Sequence, residues 1–81
     1  MKVEVRYYAV LREQAGVGKD LIEIPSGSNG ESLLAAIVRK HPALAPYISS
    51  LRLATDSAYV SNVSEISENA VILLIPPVSG G

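Results

Sequence analysis

Cysteine is absent from this 81-residue chain, which excludes disulfides, thiolate metal sites, persulfide chemistry and cysteine nucleophiles together. Histidine occurs once, at His41. A histidine-based metal site is therefore excluded, and an imidazole base would have to work with Asp20 or Asp56, both distant in the chain. No stretch approaches the roughly 20 apolar residues of a membrane span. Residues 1–6 alternate charge and apolarity where a signal peptide would carry an apolar core. Excess positive charge is missing too: seven Lys and Arg against eight Asp and Glu leave a formal net charge of −1, so nucleic acid is not an expected partner. The expectation is a soluble, cytoplasmic protein with no membrane association.

What is present is enough for a core. Apolar residues make up 48% of the chain and charged residues 19%, a balance that excludes intrinsic disorder. The length allows one domain and no second. A domain this small buries only about 60–65% of its unfolded surface, a marginal but sufficient fraction.

Periodicity organises the chain. Over residues 2–10, Val3, Val5, Tyr7 and Ala9 alternate with Lys2, Glu4, Arg6 and Tyr8, the pattern of a half-buried strand with Tyr7 inward and Tyr8 outward. Residues 11–16 read as a short helical turn closed by Gly16. A second strand over residues 20–24 stops at Pro25. Residues 26–30 are turn chemistry, and Ser28 with Glu31 has the spacing of a capping box, so a helix is predicted to begin there. Leu33, Leu34, Ile37, Val38 and His41 share one helical face, and Pro42 ends the helix. Residues 42–51 read as irregular or as short helical turns. Two short strands are predicted at 52–54 and 58–60, with a polar loop over 61–69. The last element, residues 70–75, is six consecutive apolar residues, predicted to be a central strand buried on most of both faces. Pro76-Pro77 ends it, because neither can donate a ladder hydrogen bond.

One long helix among these strands predicts an α+β domain, with a mixed sheet of four to five strands packed on that helix. Placing the first and last strands side by side at its centre gives a β-grasp. A ferredoxin-like fold would need a second long helix before the last strand. The expected boundaries are residues 1–76 for the domain and 77–81 for a flexible tail.

Side-chain chemistry is sparse. His41, on an apolar helical face beside Pro42, reads as structural. No Gly-x-Ser-x-Gly elbow occurs. The glycines at 27 and 30 lack the Gly-Lys-Ser/Thr ending of a phosphate loop, and carboxylates are scattered singly, as on a solvated surface. On its side chains alone the chain is not an enzyme. Its end is unusual: after Pro76-Pro77, which bias the backbone to an extended exit, come Val78, Ser79, Gly80 and Gly81. The bland reading is a frayed terminus. The functional reading makes the Gly81 carboxylate the reactive group, activated by adenylation. Gly80 would then give clearance in a narrow channel, and Val78 and Ser79 would set register.

Three segments carry a resemblance. Tyr8-Ala9-x-Leu11-Arg12-Glu13-x-Ala15-Gly16, His41-Pro42-x-Leu44 and the closing Ile75-Pro76-Pro77-Val78-Ser79-Gly80-Gly81 together resemble the small subunits of molybdopterin synthase, over essentially the whole chain. The closing heptapeptide is the most specific part. The resemblance implies a ubiquitin-like β-grasp sulfur carrier that binds no cofactor itself. Its terminal glycine would be adenylated with ATP by a ubiquitin-activating-type adenylyltransferase and converted to a thiocarboxylate through a sulfur donor protein. That thiocarboxylate would enter the large catalytic subunit and donate sulfur to cyclic pyranopterin monophosphate. It implies Tyr8, Tyr59 and Ile75 as apolar contacts with the large subunit and Arg12 as a nearby polar one, with Pro76 to Ser79 following the tail into that partner. Where the family often has Asp-Gly before the last strand this chain has Glu68-Asn69, and Asp56 stands where an Asn is frequent; both substitutes tolerate turns. The alternatives are a thiamine-pathway sulfur carrier, a ubiquitin-like modifier conjugated through Gly81, and a plain β-grasp interaction module.

Overall fold

The computed structural model describes residues 1–77. Its elements are β1 (Lys2–Tyr7), α1 (Ala9–Ala15), β2 (Lys19–Glu23), α2 (Gly30–Lys40), a 3-10 helix (Pro42–Tyr47), β3 (Arg52–Ala54), β4 (Tyr59–Val60) and β5 (Val71–Ile75). The five strands form one sheet in the order β2-β1-β5-β3-β4. β1 and β5 run parallel at its centre, and the other pairs are antiparallel. This is the expected β-grasp, with α2 across one face.

The core is apolar and lies between that face and the helices. Val3, Val5 and Tyr7 of β1, Ile72 and Leu74 of β5 and Leu53 of β3 point inward against Leu33 and Ile37 of α2, with Leu11 of α1 and Leu44 of the 3-10 helix closing the ends. No charged or polar residue is buried among the described residues.

Several boundaries differ from the sequence reading. β1 stops at Tyr7, not at residue 10: Tyr8 is the N-cap of α1, and Ala9 is exposed with φ of 51°, so it is not an inward strand residue. The helix-forming tendency of residues 9–15 thus takes over two residues earlier than predicted. Gly16 closes α1 as expected, at φ of 80° with its N–H donating to the Arg12 carbonyl, a left-handed position that favours glycine. β2 is displaced by one residue toward the N-terminus.

α2 begins one residue later than the capping-box spacing predicts. Asn29 is the cap, its Oδ1 accepting from the Ser32 N–H at 3.0 Å, while the Ser28 hydroxyl donates to the Pro25 carbonyl. Asparagine is as good a cap as serine, and the turn takes the nearer hydroxyl. The first helical residue must be small: a Cβ on Gly30 would lie 2.8 Å from Leu53 Cδ1 and 2.9 Å from the Asn62 backbone. The polar loop is tied down at this point. Glu31 N–H donates to the Asn62 carbonyl and Ile66 N–H to the Ser28 carbonyl, and Ile66 is buried. Asn69, at φ of 64°, supplies the left-handed turn before β5.

The clearest correction concerns β5. Residues 70–75 were expected to be buried on most of both faces, yet only Ile72 and Leu74 are buried; Val71 is exposed and Leu73 and Ile75 are half-buried. Helices cover one side of the sheet, so the strand alternates.

Candidate functional site: an uncovered sheet face at the root of the tail

The outer face of the sheet can be assembled from strand register. Arg6 stands opposite Leu73, Leu73 opposite Ala54, and Ala54 opposite Tyr59. One step along β5, Ile75 pairs with Arg52; on the other side Val71 pairs with Glu4, and Glu4 with Leu21. Tyr8 follows directly after the strand pair Tyr7 and Leu74, at the end of the sheet where β5 leaves. Its ring, with Arg6, Val71 and Leu73, lines a shallow depression whose far wall is Thr55, Asp56, Ser67 and Ala70.

Tyr8 is 41% exposed and Tyr59 66%, and the half-buried Leu73 and Ile75 connect them. The result is a contiguous apolar surface in the middle of a sheet. An exposed apolar surface of this kind is a candidate interaction surface. Charges frame it. Arg6 Nε donates to Glu4 Oε2 at 2.7 Å, which raises the guanidinium's already high pKa further. Arg52 lies over the Tyr59 ring with its guanidinium carbon 5.2 Å from the centroid, a cation–π contact that holds both side chains in place.

Of the predicted site residues, the structure therefore brings Tyr8, Tyr59 and Ile75 onto one face. Arg12 lies on α1 beside it: its guanidinium passes over Gly18, where an added Cβ would be 3.4 Å from Nε, and it lines a second shallow hollow with Arg6, Tyr8 and Lys19. Pro76 and Pro77 continue from β5 at the edge of the patch, half-buried and exposed respectively. Val78, Ser79, Gly80 and Gly81 lie outside the described residues. Sequence reasoning missed Leu73 and Val71, central to the patch. The signal was there: with Leu74 inward, period-two alternation turns Leu73 and Val71 outward.

His41 is not isolated. Its Nε2 lies 2.6 Å from Asp20 Oδ2, which also accepts from the Tyr7 hydroxyl at 3.0 Å, while Lys40 Nζ approaches Oδ1 at 3.2 Å. A carboxylate only accepts, so His41 Nε2 carries a proton. The Tyr7 and His41 rings meet edge to face, centroids 5.6 Å apart. Burial pushes the Asp20 carboxyl up, but the hydrogen bonds from His41, Lys40 and Tyr7 outweigh it and leave it below its ordinary value. The Tyr7 hydroxyl is pushed up, first by burial and then by its bond to Asp20. Asp20 and His41, far apart in sequence, thus tie β2 to the end of α2, with Tyr7 of β1 as the third point. Among the described residues no group of three or more His, Asp or Glu side chains stands ready to hold a metal, and no described helix is long and apolar enough to cross a membrane.

Comparison with known proteins places this architecture. The ThiS family model matches residues 5–81. The chain belongs to the ThiS family. It is 35% identical, over the full length of both chains, to the molybdopterin synthase sulfur carrier subunit of Chlamydomonas reinhardtii. Among solved structures it superposes on SAMP1 from Haloferax volcanii with a TM-score of 0.90 at 22% identity, each chain fully covered. It superposes also, with a TM-score of 0.69 at 23% identity and both chains fully covered, on a structure of the complex of subunits 1 and 2 of molybdopterin-converting factor from Helicobacter pylori. These two likenesses establish the shared fold.

Proposed function

We propose that this ThiS-family chain is the sulfur carrier subunit of a cytoplasmic molybdopterin synthase. The observation that carries the reading is the uncovered apolar face of Tyr8, Tyr59, Leu73 and Ile75, which borders the point where Pro76-Pro77 lead the chain toward Gly80 and Gly81. A large catalytic subunit docks on that face and receives the tail. The full-length likeness to a molybdopterin synthase sulfur carrier subunit supports this assignment.

The chemistry follows from the terminus. A carboxylate is a poor electrophile. The Gly81 carboxylate attacks the α-phosphate of ATP in a ubiquitin-activating-type adenylyltransferase, pyrophosphate leaves, and a mixed anhydride results. A sulfur nucleophile supplied through a donor protein then displaces AMP and leaves a thiocarboxylate. That group enters the large subunit and transfers its sulfur to cyclic pyranopterin monophosphate. In this scheme the domain contributes no side-chain catalyst; ATP is the activating enzyme's substrate, and the carrier itself holds no cofactor.

Intact-mass spectrometry tests the reading after incubation with the host's cell extract, ATP and a sulfur source. The expected result is exchange of one C-terminal oxygen for sulfur. The exchange disappears when Gly80 and Gly81 are deleted, and sulfur transfer is lost when the chain is extended past Gly81, the fold persisting in both variants. An unchanged mass beside an active control carrier would refute the assignment, and ladders of protein conjugates would favour a modifier instead.

A further inference from the structure

The sheet has two edges of very different character. β4 is two residues long, too short to template another strand. β2 is five, and among the described residues no strand pairs with its outer side. Tyr7 N–H donates to the Gly18 carbonyl and Ile24 N–H to the Met1 carbonyl, so in this antiparallel pair residues 18, 20, 22 and 24 turn their backbone groups toward β1. By the alternation of such a ladder, Lys19, Leu21 and Glu23 turn theirs away from it. All three side chains are exposed, Leu21 by 61%.

We infer that β2 is a self-pairing edge, through which two copies of this chain associate antiparallel about a two-fold axis at Leu21. The segment Lys19-Asp20-Leu21-Ile22-Glu23 is self-complementary in that arrangement. Leu21 faces its own copy, and Lys19 of each chain faces Glu23 of the other at both ends. Every outward backbone group of the three residues then gains a partner. Side-chain electrostatics agree. Lys19 stands directly opposite Arg6 within its own sheet, a like-charge pair that is unfavourable across strands. Among the described residues neither Lys19 nor Glu23 forms an ion pair; the second copy supplies one to each. Charged residues on an edge strand usually block pairing, but here the two-fold turns that repulsion into attraction. A symmetric interface of this kind is isologous and closes at two copies. It runs the sheet through both chains and sends the two β5 ends in opposite directions. The pairing rests on β2 alone and is independent of sulfur chemistry.

A single strand pair buries far less than the ~1,200 Å² of a standard stable interface, so association is weak and concentration-dependent. Sedimentation equilibrium of the intact chain should show its average mass rising toward twice the monomer value between the upper micromolar and millimolar range. Lys19→Glu alone and Glu23→Lys alone each place like charges across the axis and should hold the mass at the monomer value. The double variant restores opposite charges and should restore the rise. Hydrogen exchange of the unaltered protein gives a second readout: the Lys19, Leu21 and Glu23 amides should slow as concentration increases. A monomer at every concentration, an association indifferent to the single reversals, a double variant that stays monomeric, or edge amides whose exchange ignores concentration would each overturn the inference.

Discussion

Asp20 shows how one residue joins three elements. Its carboxylate receives Tyr7 from β1, Lys40 from the last turn of α2 and His41 just beyond it, and its side chain is only 13% exposed. Folding lowers its pKa, so the folded state binds the proton less tightly than the unfolded chain does. Its stabilising contribution is therefore complete above the ordinary carboxylate value of about 4 and is lost as pH falls through the lower folded value. Asp20→Asn removes the charge and keeps an acceptor. Thermal melts near neutral pH should show the variant about 1–3 kcal/mol less stable, the range for hydrogen bonds to charged groups, with the two proteins converging in acid. A difference that stays constant down to the lowest pH would show that the charge of Asp20 contributes nothing. Sequence alone read His41 as structural and left Asp20 and Asp56 as its possible partners; the choice of Asp20, 21 positions away, was made only when β2 and α2 packed. The glycine at position 30 was read as turn chemistry; its close approach to Leu53 and Asn62 is equally a tertiary fact.

At the scale of elements, β5 separates the two roles of apolar side chains. Leu74 is fully buried against the helices, while its neighbour Leu73 faces away from them in the middle of the uncovered face. Leu74→Lys places an ammonium in the core, costing several kcal/mol, and should leave the chain unfolded by circular dichroism. Leu73→Lys, one position earlier, should keep a cooperative melt close to that of the unaltered protein and lower affinity for the large subunit by about 10- to 100-fold, as for a central interface residue. Equal damage to folding by both would mean that β5 is buried on both sides after all. The unbroken run of apolar residues concealed this alternation. A strand that is apolar on both faces is covered twice, and composition does not record whether the second cover belongs to the same chain. The same reasoning explains the shifted helix start: both Ser28 and Asn29 have capping chemistry, and the choice was made by the loop residues Asn62 and Ile66 binding at the turn.

For the whole molecule, the sheet is a platform with helices on one side and, on the other, the exposed apolar face proposed above as the docking surface. Tyr8 sits where that surface meets the exit of β5, and it is exposed. Tyr8→Asp should therefore leave the melting temperature nearly unchanged and weaken binding to the large subunit by about 10- to 100-fold, measured by titration calorimetry. Unchanged affinity would remove Tyr8 from the interface. Much of this organisation is legible in the sequence. Alternation in residues 2–7 and the 3.6-residue rhythm of α2 are local consequences of backbone geometry, and prolines at 25, 42 and 76 punctuate the chain because they cannot continue a ladder or a helix. The element order and the absence of a second long helix then left few topologies, and the β-grasp was among them. The sequence also determined that no thiol could do sulfur chemistry here, since it contains no cysteine. Only the tertiary structure decided which apolar residues remain uncovered, which distant side chains meet at Asp20, and which sheet edge stays open. Those outcomes depend on contacts between segments far apart in the chain, and no local pattern encodes which side of a sheet its helices will choose.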